Sequence, residues 1–73
     1  MRRIEPEELG RLYRAHAPAL RLYIRQWAVG EEDIVQETFL KLAQQEPAPE
    51  EIIPWLYRVA RNAVLETARR QAR

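Results

Sequence analysis

GEEDIVQETFLKLAQQEPAP, residues 30–49, is the stretch on which the fold turns. Ile34, Val35, Thr38, Phe39 and Leu42 recur at the spacing of one helical face, and no strand-like alternation competes with it. Glu31, Glu32 and Asp33 stand where the positive end of a helix dipole favours acids, so the helix begins near Glu31. It runs to about Gln45 and stops before Pro47 and Pro49, because the residue before a proline is pushed out of the helical region. With Glu50 and Glu51 following, the proline stretch reads as a loop.

Upstream, Pro6 suits a first helical position, with Glu7 and Glu8 in the first turn. Leu9, Leu12, Tyr13, His16, Leu20, Tyr23, Ile24 and Trp27 fall within a stripe of about 120° at about 100° per residue. Arg11, Arg14, Arg21 and Arg25 take the other side. Pro18 lies on that outer face and removes a backbone donor, so a kink or break is expected near Ala17. Gly30 is expected to end this element as a cap or turn residue. Downstream, Pro54 opens a third helix, unless Pro49, Glu50 and Glu51 start a short turn first. That helix buries Leu56, Val59, Ala60 and Ala63 and runs to the end of the chain. The expected fold is all-α, a compact bundle of three main helices with the first kinked or split near Pro18.

The 73 residues allow one small domain. There is no cysteine and no serine, and histidine occurs once, which removes Ser-His and Cys-His nucleophiles and thiolate metal sites. His16 sits on the apolar stripe and reads as a buried, hydrogen-bonded core residue; neither a catalytic site nor a metal site is expected. No cofactor is called for. No apolar run is long enough to span a membrane and no signal peptide is visible, so the expectation is a cytoplasmic binding module, not an enzyme.

The net charge of +1 conceals blocks: +3 over residues 1–30, −6 over 31–53 and +4 over 54–73. The blocks either neutralise one another across the bundle or form two partner surfaces. On the outer face of the second helix, Asp33, Gln36, Glu37 and Leu40 follow i, i+3, i+4, i+7 spacing, which is either a solvated face with one stray leucine or a seat for a basic partner helix. On the third helix, Arg58, Arg61, Asn62, Leu65, Arg69 and Arg73 share one face, with Trp55 at its rim. Guanidinium groups at that spacing suit a phosphate backbone, an asparagine suits a base edge and an aromatic suits an unpaired base. The alternatives are ion pairing of Arg58 and Arg61 with the acidic block, and packing for Trp55.

Asp33-Ile-Val-Gln-Glu-Thr-Phe-Leu-Lys-Leu42, then Trp55-Leu-Tyr-Arg-Val-Ala-Arg-Asn62, then Arg69-Arg70 resemble region two of bacterial sigma factors, and among these the extracytoplasmic-function (ECF) group. Leu12-Tyr-Arg-Ala-His-Ala-Pro-Ala-Leu20 resembles the first helix of that domain. The resemblance implies a module that docks on the clamp helices of the RNA polymerase beta-prime subunit through Asp33, Gln36 and Glu37, with Leu40 added from its place on the same face. It implies binding and melting of the promoter minus-ten element, with the non-template strand held by Arg58, Arg61 and Asn62. Trp55 and Tyr57 join them as packing or stacking aromatics, and Arg69 and Arg70 as the terminal basic pair. An anti-sigma protein is a further expected partner, and a membrane is not. The whole chain, 1–73, is expected to be one region-two domain without the second domain that reads the minus-thirty-five element.

Two departures bear on function. Glu66 stands where members commonly carry Asp, and the 46–53 loop, which in the family captures a flipped-out base, is acidic and has no aromatic residue. That loop leaves room for a protein-interaction module, an anti-sigma target or decoy, that keeps the acidic docking face without promoter function. A helix-turn-helix repressor fits less well, because the connection before the third helix is long and proline-rich.

Overall fold

The computed structural model describes residues 2–27 and 30–72. Three helices follow one another: α1 over Pro6–Arg25, α2 over Glu31–Gln44 and α3 over Ile52–Gln71. Each packs on the other two, and among the described residues there is no strand.

Helix α1 starts as its sequence demands, with Pro6 at the first position and Glu7 and Glu8 in the first turn. The Glu5 carbonyl accepts the first bond, from the Leu9 amide at 2.8 Å. Of the two outcomes expected at Pro18, a kink or a break, the break is not there: α1 runs through Pro18 as one helix. Pro18 is exposed, as is Arg14 one turn earlier, so the carbonyl that loses its helical donor faces water rather than the core. Gly30 also takes a different role. Helix α1 ends at Arg25, and Gly30 is instead the residue that precedes α2, at φ −66°, a conformation open to any residue. In α3, Pro54 is the third residue, not the first. The first turn tolerates it because those amides have no helical partner anyway.

The core is one cluster drawn from every element. Ala17, Leu20 and Ile24 come from α1; Ile34, Val35, Phe39 and Leu42 from α2; Trp55, Leu56, Ala60, Ala63 and Val64 from α3. Ile4, from the arm before α1, completes it. Most of the α1 stripe (Leu9, Leu12, Tyr13, Tyr23 and Trp27) forms a half-buried shell around this centre, as does Val59, which was expected inside. His16 is half-buried too and makes no side-chain hydrogen bond among the described residues, so it is not the satisfied core histidine expected.

Edge-to-face aromatic pairs join the helices: Tyr13 of α1 with Phe39 of α2 at 5.0 Å, and Tyr23 of α1 with Tyr57 of α3 at 5.0 Å. Such pairs add about 0.5–1.5 kcal/mol beyond the area they bury. Thr38, the one buried polar side chain among the described residues, satisfies its hydroxyl within its own helix by donating to the Ile34 carbonyl at 2.7 Å.

Candidate functional site

Packing Ile34, Val35, Thr38, Phe39 and Leu42 inward turns the opposite face of α2 to solvent. Asp33, Gln36, Glu37 and Leu40 are all exposed there, and Leu40 shows 58% of its surface. Glu37 is not a free acid: Lys41, one turn on, lies 3.1 Å from it, with both side chains half exposed. A surface pair of this kind contributes about 0.3–0.5 kcal/mol and opens readily for a stronger partner. Asp33 forms no ion pair among the described residues.

Beside this face runs an apolar groove between α1 and α2, about 500 Å³, lined chiefly by Leu9, Tyr13, Phe39 and Leu40, with Gln36 and Arg14 at its edge. Leu40 is thus the exposed lip of a groove, not a stray leucine. The rest of the groove was not legible in the sequence, because its walls come from residues that periodicity assigns wholly to the core.

Across the 26–30 turn the first-turn acids of α2 are held by α1. Arg21 Nε donates to Glu32 at 2.8 Å and Arg25 Nε to Glu31 at 3.1 Å. The hydrogen bond that Arg21 donates to Glu32 raises its guanidinium above its ordinary value, and the phenol of Tyr13 at 3.4 Å adds to this. Neutralisation between blocks is therefore real, but it joins α1 to α2. It does not reach α3: Arg58, Arg61 and Arg69 have no acidic partner among the described residues, and Arg70 pairs only with Glu66 of its own helix at 3.0 Å.

Arg58, Arg61, Asn62, Arg69 and Arg70 are all exposed on α3. Trp55 is 9% exposed and belongs to the core, and Tyr57 is half-buried against Tyr23, so neither ring stands free in solvent. The visible edge of Trp55 borders two shallow depressions. One, about 360 Å³, is lined by Lys41, Gln44, Gln45, Val59 and Asn62. The other, about 380 Å³, lies between the proline loop and Arg58, with Glu50 and Glu51 on its wall. Gln44 and Gln45 were missed from the sequence; two carboxamides at the end of an amphipathic helix carry no periodic signal. The first depression presents an ammonium, three carboxamides and an apolar floor, a set able to hydrogen-bond a heterocyclic base edge and cover its face. Among the described residues no group of His, Cys, Asp and Glu is placed to hold a metal ion, and no helix is long and apolar enough to cross a membrane.

No curated protein and no solved structure matches the chain. A family model described as Sigma-70 region 2 matches residues 12–73, which takes in most of α1, all of α2 and α3, and every exposed residue of the two faces. Region two of sigma factors is a non-enzymatic part of transcription initiation that binds RNA polymerase and promoter DNA. The three-helix bundle is consistent with that match, and the chain belongs to the sigma-70 region 2 family.

Proposed function

We propose that the chain is one region-two domain of an ECF-type sigma factor, working in the cytoplasm. In this reading Asp33, Gln36, Glu37 and Leu40 dock on the beta-prime clamp helices of the polymerase. Arg58, Arg61, Arg69 and Arg70 neutralise the phosphates of the non-template strand at the minus-ten element, and Asn62 meets an extruded base. The observation that carries it is that Arg58, Arg61 and Arg69 of α3 have no acidic partner among the described residues, beside a depression walled by Gln44, Gln45 and Asn62. Arginines left unpaired by their own fold retain their full charge for a polyanion. Carboxamides make paired hydrogen bonds to base edges that phosphate contacts alone cannot supply.

Trp55 and Tyr57 contribute here mainly by fixing α3 against α2 and α1, with only the Trp55 edge offered to a base. Melting is favoured when an unpaired base gains a protein pocket while its backbone stays neutralised. A second reading has one observation behind it. Glu50 and Glu51 are exposed beside the Arg58 depression and oppose a phosphate backbone there, which suits a module that meets an anti-sigma protein rather than a promoter.

Calorimetric titration with a purified beta-prime clamp-helix fragment tests the docking assignment. Glu37→Arg lies on an exposed position, leaves the core intact and is expected to weaken binding at least tenfold, about 1.4 kcal/mol. Undiminished binding by the variant removes Glu37 from the interface. No binding by the parent chain moves the second reading ahead.

A further inference from the structure

The residues before α1 lie outside the family match, which begins at residue 12. They are nevertheless tied down at three consecutive positions. The Arg2 carbonyl accepts a hydrogen bond from the Ala48 amide at 2.7 Å, in the middle of the proline loop. The Arg3 guanidinium reaches Glu46 of the same loop at 3.2 Å. Ile4 is 6% exposed and sits in the core. A fourth contact fixes the arm from the other side, where Arg2 donates to both carboxylate oxygens of Glu8 in α1, at 2.9 and 3.1 Å.

The loop has little else to hold it. Residues 45–51 contain no helix, and among the described residues Ala48 donates its amide only to the arm. Ala48 also packs against the core cluster to which Ile4 belongs. The same loop supplies Gln45 to both depressions beside Trp55, and Pro49, Glu50 and Glu51 to the second. A segment in this position takes its shape from whichever neighbour satisfies its backbone.

We infer that residues 2–4 are a positioning strap: the Arg2–Ala48 and Arg3–Glu46 contacts, anchored by buried Ile4, set the conformation of the 45–51 loop and with it the strength of nucleic-acid contact at the Trp55 depressions. The functional half of this rests on the proposed promoter reading; the structural half does not. The strap leaves the α2 docking face alone, because none of its contacts involves Asp33, Gln36, Glu37 or Leu40.

The test uses the full chain, Arg3→Glu, and the reciprocal double variant Arg3→Glu/Glu46→Arg. The pair is exposed on both sides, so reversal spares the core. Two quantities are measured: amide exchange at Ala48, and affinity for a fluorescent single-stranded oligodeoxynucleotide of roughly ten nucleotides. Expected is about fivefold faster exchange at Ala48 in Arg3→Glu, with Leu56, Ala60 and Val64 unchanged, a comparable loss of oligonucleotide affinity, and recovery of both in the double variant. Clamp-fragment affinity stays at the parent value.

Unchanged Ala48 exchange in both Arg3→Glu and a second variant, Ile4→Ala, overturns the strap. Faster exchange with unaltered oligonucleotide affinity overturns its link to nucleic acid. A parent chain that binds no oligonucleotide overturns the promoter reading itself, and exchange at Ala48 then decides the strap on its own.

Discussion

Arg58 and Arg61 differ from Arg21 and Arg25 in one respect that chemistry can read: the α1 pair is bonded to Glu32 and Glu31, and the α3 pair is bonded to nothing acidic among the described residues. Arg58→Ala and Arg61→Ala are therefore expected to weaken oligonucleotide binding and to flatten its salt dependence, by about 0.7 for each single-strand phosphate that is no longer neutralised. Arg21→Ala is expected to leave that slope in place. Parallel log–log plots of affinity against salt for parent and both α3 variants would put these arginines outside the interface. Thr38 gives a contrasting expectation. Its hydroxyl donates to a carbonyl that the helix backbone already engages, so Thr38→Val changes thermal stability by less than about 1 kcal/mol. Leu56→Ala, which empties a fully buried site, lowers stability by about 2–5 kcal/mol, measured by denaturant unfolding.

Among elements, α2 was legible almost to the residue, because acids in the first turn, five core positions and a proline stop all agree. Helix α3 was nearly so, although Val64 was overlooked and lies fully buried. Helix α1 was not. Its periodic stripe marks the side that faces the bundle, but only Leu20 and Ile24 of that stripe are buried, joined by Ala17, whose methyl group gives a hydropathy plot almost nothing to detect. Of the kink or break expected at Pro18, the break does not occur, since the cost of a missing backbone bond depends on whether water replaces it, a property of tertiary packing that sequence does not state. The outer faces of α2 and α3 could be drawn from spacing alone. The ion pairing of α1 with α2, the Gln44–Gln45 wall and the Ile4 arm could not, because each depends on residues far apart in the chain or outside any helical period.

Pro18 yields a prediction at this scale. It is exposed within an unbroken helix, so Pro18→Ala restores a backbone donor without disturbing the core and raises stability, by up to about 3 kcal/mol. A lower melting temperature for that variant would show that the proline relieves a strain which a regular helix imposes on the bundle.

At the scale of the whole molecule, the two faces share a scaffold and adjoin at Lys41, which pairs with Glu37 on one and lines the depression of the other. Gln36 and Leu40 look into the groove with α1, while Lys41, Gln44 and Gln45 look into the depression with α3. Arg61, exposed on α3, shares no ion-pair partner with Glu37 among the described residues, so substitutions at the two positions act independently. Glu37→Arg combined with Arg61→Ala is therefore expected to show losses in clamp and oligonucleotide binding that add within about 0.5 kcal/mol.

The pairing of Arg21 and Arg25 with the first-turn acids of α2 has a consequence in time rather than in affinity. It cancels charge where the first two helices meet and leaves Arg58, Arg61 and Arg69 of α3, unpaired among the described residues, as a concentrated source of positive potential in a molecule whose net charge is only +1. Such a molecule turns toward a polyanion before it touches it. The rate of encounter then falls with ionic strength far more steeply than a net charge of this size would suggest.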